Sequence, residues 1–284
     1  MAHILVPTDF SKNAYNALFY ATRLYPNEEC IITLVHSFEN LFSTNTSRID
    51  IGRNEQLYDE LERAAFDKLD TLKHEITLDS EGISLVIDMV TSAQPLYKIV
   101  NKLIINTNID VVVMGTKGSS GIREVFLGSQ TVKLIKKIKP VPVPVFVVPQ
   151  SATFQAPTKV AYATDLKIDY AQYPLEIIKE VIRTHKSKLY ITHIYNQMSP
   201  GQTVETNYRK LKHKLEDVSY TTHWLSSITK MEDALGLFIN EHDINLLVLM
   251  YHKSGLLKKL FNKSFVDKLS FHSEIPLLIL PESF

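Results

Sequence analysis

The chain has 284 residues, 45% of them hydrophobic, which is enough for two compact domains of ordinary size rather than one. Lys plus Arg and Asp plus Glu stand at 31 each, so the global basic excess that would suit a nucleic-acid backbone is missing, and nucleic acid is not an expected partner. A single cysteine, Cys30, excludes an internal disulfide framework and a Cys-based zinc site. With no signal-like N-terminus and no apolar run of about 20 residues, a cytoplasmic setting away from membranes is expected.

In chain order, Ile4 to Val6 reads as a strand and Lys12 to Leu24 as a helix. Ile31 to Val35 is a second strand. A polar segment from Asn40 to Arg53 then leads into a charged helix through Leu78, whose run from Glu55 to Glu75 suits a solvated amphipathic face. Leu85 to Val90 is a third strand and Leu96 to Ile105 a helix. Val111 to Met114 is the fourth strand. A glycine-rich loop and a helix ending near Lys139 come next, and Val143 to Val148 is the fifth strand. Alternation of this kind predicts right-handed βαβ units and an α/β fold built on a parallel sheet.

The second half repeats that order. Val-Pro-Thr-Asp at 6–9 returns as Ala-Thr-Asp at 163–165, and the strand carrying His36 returns with His193. Asn108 to Met114 is matched by Asp243 to Met250, and the Pro-flanked run at 142–149 by the one at 275–281. Apolar periodicity stops from Gln150 to Thr158, which places a boundary near Gln155 and gives domains 1–154 and 155–284. His36 and His193, inside apolar strands, read as hydrogen-bonded core histidines. The other histidines show no close metal-ligand spacing, so no metal site is expected.

Four of the nine glycines fall between positions 115 and 128, after the fourth strand and before a helix. Glycine lets an anion approach bare backbone, and the unpaired amides of a helix start favour negative charge. The spacing Gly115-x-x-Gly118-x9-Gly128-Ser129 fits neither a P-loop nor the dinucleotide fingerprint. After a strand ending in Val-Met, it resembles the ATP loop of the universal stress protein family. Pro7-Thr8-Asp9-Phe10-Ser11 is similar to that family's first strand end, and the likeness extends over both halves.

The resemblance implies two tandem Rossmann-like domains, each an open five-stranded parallel sheet of order 3-2-1-4-5 flanked by helices. The crevice would lie where strand order reverses, between strands 1 and 4. It further implies ATP as ligand, with Mg²⁺ held by the phosphates. Asp9 would contact the adenine or ribose end, with Pro7 and Thr8 on the same wall, and Ser37 would meet adenine through its backbone. Met114 would close strand 4 beside Gly115 and Gly118, which approach the phosphates. Gly128, Ser129, Gln130 and Thr131 would bind them at the helix start; Gln130 departs from the small apolar residue usual in the family. In the second half Met250, Lys253 and Lys263 stand at the glycine positions and only Ser264 remains, so that loop reads as degenerate, although Asp165 is kept.

Three functions follow as alternatives. The first is an ATP-binding regulatory or sensing protein of the stress response without fast catalysis, in which Asp9 and Ser129 are the sole candidate chemical groups and slow hydrolysis or self-phosphorylation stays open. The second is an adenylating enzyme of the wider superfamily, disfavoured because Pro-Thr-Asp-Phe-Ser replaces a Ser-Gly-Gly-x-Asp loop. The third is an interaction module with a vestigial nucleotide site and an unidentified protein partner. Asp9 could also serve only as a cap for the helix starting near Ser11. The apolar fifth strand of each half predicts an internal pseudo-dimer, with a homodimer open.

Overall fold

The computed structural model describes residues 1–45, 51–116, 127–138, 143–170, 175–195, 201–226, 231–251 and 275–281. The first half runs β1 (Ala2–Pro7), α1 (Lys12–Ala21), β2 (Cys30–Ser37), α2 (Glu39–Asn45), α3 (Ile51–Asp79), β3 (Leu85–Ser92), α4 (Leu96–Asn106), β4 (Val111–Gly115), α5 (Ser129–Lys137) and β5 (Val145–Val148). The second runs β6 (Lys159–Thr164), α6 (Glu176–His185), β7 (Lys188–Tyr195), α7 (Gln202–Lys214), β8 (Tyr220–Ser226), α8 (Met231–Glu241), β9 (Leu246–Met250) and β10 (Leu277–Leu280). The segment read from sequence as polar, Asn40 to Arg53, is helical over α2 and at the start of α3.

The ten strands among the described residues form one sheet of order β3-β2-β1-β4-β5-β10-β9-β6-β7-β8. Each half thus contributes the expected 3-2-1-4-5 arrangement with parallel neighbours, and the only antiparallel pair among those described is β5 with β10. The final strands of the halves meet with Leu278 opposite Phe146, and neither side chain is exposed to solvent. Mutual pairing covers two apolar edges that would otherwise be open to other chains.

The strands are apolar along their whole length because helices cover both faces. Alternation sends Ile4, Val6, Val111 and Val113 into one core, and Leu5, Val112 and Met114 into the other. The first core takes the buried faces of α1, α3, α6 and α7; the second takes those of α4, α5 and α8. On α3 the buried residues Ala65, Leu69, Leu72 and Ile76 recur at helical spacing, leaving the charged side chains outward.

Candidate functional site

The polypeptide leaves β1 through a short, highly bonded turn. The Thr8 amide donates to the Val35 carbonyl at 2.8 Å, which fastens the strand end to β2. The Phe10 amide donates to Thr8 Oγ1 at 3.0 Å, and the Ser11 amide to Asp9 Oδ1 at 3.1 Å. Phe10 sits between them at φ +62°, a left-handed conformation that costs an ordinary side chain roughly 1–2 kcal/mol. Interlocking Thr and Asp bonds hold it there. Ser11 then caps α1 by accepting from the Ala14 amide at 3.2 Å. The helix cap is therefore Ser11, and Asp9 acts one turn earlier as an acceptor within the loop.

His36 reinforces the same turn from β2. Its Nδ1 lies 2.8 Å from the Thr8 carbonyl, an acceptor only, so Nδ1 carries the proton. Its ring stands 4.5 Å from that of Phe10. Burial holds the imidazole below its ordinary pKa; the Thr8 hydrogen bond and Asp9 oppose that shift and Lys68 adds to it. This is the hydrogen-bonded histidine expected from sequence. Pro7 and Thr8 are buried, and Thr8 spends its side chain on the turn. Ser37 donates its hydroxyl to the Gln94 carbonyl at 2.6 Å, tying β2 to the segment after β3.

Across the crevice, β4 ends at Gly115, whose bare Cα faces Asn13 on α1. A Cβ at Gly115 would come within 2.5 Å of Asn13 Nδ2 and 3.1 Å of the Asn13 carbonyl. Asn13 is 3% exposed, and its Nδ2 lies 3.4 Å from Thr116 Oγ1. Asn13 was not singled out in the sequence, although a polar residue on the apolar stripe it shares with Ala14, Ala17 and Leu18 was a visible signal. Met114 is buried beneath the crevice rather than open to it.

Helix α5 returns to this point. The Gly128 amide donates to the Thr116 carbonyl, and Thr131, 2% exposed, donates its hydroxyl to the Gly115 carbonyl at 3.0 Å. The helix start is thereby clamped onto the end of β4. Its N-cap, Gly128, supplies no side-chain cap, its first turn holds no acid, and Lys136 and Lys137 lie in its last turn. Amides at such a terminus carry a favourable field for an anion. Ser129 and Gln130 are exposed there. The structure thus gathers Asp9, Gly115, Gly128, Ser129 and Thr131 around the reversal of strand order; Gly118 lies outside the described residues.

The second half repeats the turn without the rest of the site. Leu166 takes Phe10's place at φ +54°, with its amide on Thr164 Oγ1 at 3.0 Å, and the Lys167 amide donates to Asp165 Oδ1 at 3.2 Å. His193 Nδ1 lies 3.1 Å from the Thr164 carbonyl. Here, however, Tyr170 is buried against Thr164 Oγ1 and Tyr162, and Asn207 donates to the Leu166 carbonyl at 2.8 Å. Where the Thr116 amide bonds the Val148 carbonyl, the Tyr251 amide bonds that of Leu280, so Met250 and Tyr251 stand at the places of Gly115 and Thr116. Lys253, Lys258, Lys259, Lys263 and Ser264 lie outside the described residues.

Among the described residues no helix is long and apolar enough to cross a membrane, and no group of three or more His, Cys, Asp or Glu side chains converges as a metal site. A curated relative, the universal stress protein MJ0577 of Methanocaldococcus jannaschii, is 29% identical over 146 residues, 47% of this chain and 88% of that protein. The structure of a universal stress protein from Archaeoglobus fulgidus aligns over 99% of this chain and 96% of its own, at 18% identity and a TM-score of 0.64, a likeness of fold. So does the cytoplasmic domain of a prokaryotic cation chloride cotransporter, at 10% identity and 0.57, over 99% and 96% of the two chains. The sequence profile described as the universal stress protein family matches residues 1–149, more than half of the molecule, and the chain belongs to that family.

Proposed function

We propose that the first half binds one ATP in the crevice between β1 and β4, with Mg²⁺ held through the phosphates. The chain would act as a cytoplasmic regulatory or sensing protein of the stress response without fast turnover. The observation that carries this reading is the meeting of Asp9's rigid turn, the end of β4 at Gly115 and the uncapped start of α5 where strand order reverses. The donor set fits the ligand: amides at a helix terminus for phosphate, a carboxylate for sugar hydroxyls or an exocyclic amine.

Calorimetric titration of ATP and Mg²⁺ tests the assignment. One equivalent should bind, and Gly118→Val should weaken it by at least about tenfold, since a β-branched side chain excludes phosphate from bare backbone. Binding equal to the parent would show the loop to be wrongly assigned. Nucleotide retained through purification, read by mass spectrometry, is a second indication.

An interaction role for the second half is favoured by a specific observation. Met250 and Tyr251 replace Gly115 and Thr116, which removes the bare backbone a phosphate needs, while the turn around Asp165 is kept. Substitution of Asp165 by Ala should then leave the ATP stoichiometry of the whole chain at one.

A further inference from the structure

We propose that His223 and His242 form a two-imidazole site for a borderline divalent cation such as Zn²⁺, Ni²⁺ or Cu²⁺. His223 lies in β8, the outermost strand of the second half, and His242 directly follows α8, its amide bonded to the Phe238 carbonyl at 3.1 Å. Distant in sequence, the two come together because α8 packs over β7 and β8. His223 stands mid-strand, opposite Thr192 of β7, and the segment that carries His242 leads from α8 into the beginning of β9.

The separation suits a shared metal. Imidazole nitrogen binds zinc at about 2.0–2.1 Å, which puts each ring centre about 3.2 Å from the ion, and two such rings at a tetrahedral angle stand about 5.2 Å apart. The centroids of His223 and His242 are 5.1 Å apart, with the planes inclined at 58°. Both rings are half-buried, open enough for an ion to enter. Phe238 stands 4.9 Å from His223 and 4.3 Å from His242, and Tyr190 stands 5.8 Å and 5.2 Å from them. Two aromatic walls limit how far either imidazole can swing away, and such a shell helps to pre-orient ligands. Burial, His242 and Lys188 hold His223 below its ordinary pKa, which favours the neutral form that binds metal.

Two features set the strength expected. No third His, Cys or carboxylate among the described residues joins the pair, so water would complete the shell. The ammonium of Lys188, 4.8 Å from the Tyr190 ring centre, opposes a second cation nearby. Both point to a reversible site rather than a structural one, and imidazole donors select zinc, copper and nickel over magnesium or calcium.

The test uses the full chain, stripped of metal with chelator, and ZnCl₂ or NiCl₂ alone as titrant in calorimetry. One equivalent should bind with micromolar affinity. His223→Gln and His242→Gln should each weaken it by at least about tenfold, the smallest loss that even outer-shell changes commonly produce. His213→Gln, at an exposed helix end, should leave it intact. Cu²⁺ bound to the unaltered chain should show two imidazole nitrogens in its electron paramagnetic resonance spectrum, a readout independent of whether a variant folds. No saturable binding, binding indifferent to both substitutions, or a spectrum with one nitrogen would each overturn the proposal and leave the four rings as packing alone.

Discussion

Gly115 was singled out in the sequence for phosphate approach, and the structure gives its missing side chain a second reason. Asn13 occupies the space a Cβ would need, with its backbone carbonyl as well as its amide, so rotation of the Asn13 side chain alone cannot relieve an added methyl. Gly115→Ala should therefore destabilise the chain by about 1–3 kcal/mol even without nucleotide, as overpacking in a filled interior does. Urea unfolding of Gly115→Ala, Asn13→Ala and the double variant checks this. The penalty should shrink when Asn13 is shortened, and a strictly additive cycle would show that the two do not meet. The turn at Asp9 and the bare backbone at Gly115 were legible because glycine and Asp-bearing turns are local signals. Asn13 escaped notice because its burial depends on β4, a contact a hundred residues away in sequence. The Thr8 to His36 bond was hidden for the same reason, although histidine in an apolar strand did announce a hydrogen bond.

At the scale of elements, the strands were readable because burial on both faces turns them into unbroken apolar runs, as at β4 and β5. Helix α2 was not, since Glu39–Asn45 carries little apolar periodicity and its order comes from packing against α3, including the edge contact of Phe42 with Tyr58. Helix ends were less legible still. Helix α6 stops at Lys186, whose φ of +51° is left-handed, while both its own amide and that of Ser187 turn back to the Ile182 carbonyl. Glycine is the usual residue at such a stop. Lys186→Gly should stabilise the protein by a net amount below about 1 kcal/mol, the relief of left-handed strain offset in part by a freer unfolded chain. A rise in the thermal midpoint measures it, and a fall would mean that the lysine side chain contributes contacts of its own.

The whole molecule should be sensitive to mild acid. His3, His36, His185, His193 and His223 all lie below their ordinary pKa, each chiefly through desolvation. For a group depressed in the folded state, the unfolded chain binds more protons between the folded value and about 6.5, so stability rises with pH across that window. The histidine contribution is complete above about 6.5 and is lost as the pH falls through the folded values. Denaturant midpoints measured from pH 7.5 down to 5 should decline. His185 places part of this effect between the halves, because its Nε2 bonds the Leu24 carbonyl at 2.8 Å. Glu180, raised mainly by burial and then by Asp110 and Glu28, works in the opposite direction, its cost easing as acid protonates it. A midpoint that held constant or rose on acidification would show that such carboxyl groups outweigh the five histidines.

The halves meet through β5 and β10 and through the His185 to Leu24 contact, and we propose that residues 1–154 and 155–284 are separate folding units joined in this way. Val145, Phe146, Val147, Leu277, Leu278 and Ile279 are each at most 3% exposed in the intact chain. Cutting the connection would uncover two apolar strand edges at once, and burial of a large apolar side chain is worth roughly 1.5–3 kcal/mol. Neither fragment should then remain a well-behaved monomer. Each is expected to pair with itself through the bared strand or to precipitate, because an open apolar edge accepts any strand of suitable register. Mixed during refolding, the two fragments should instead form a one-to-one complex, since the register Leu277 with Val147, Leu278 with Phe146 and Ile279 with Val145 is available only to the pair. The His185 to Leu24 contact adds to that preference, being made between the two different halves. Light scattering coupled to size-exclusion chromatography decides the outcome. Two soluble fragments that stay monomeric alone and when mixed would mean that the covalent link, rather than the β5–β10 seam, holds the halves together.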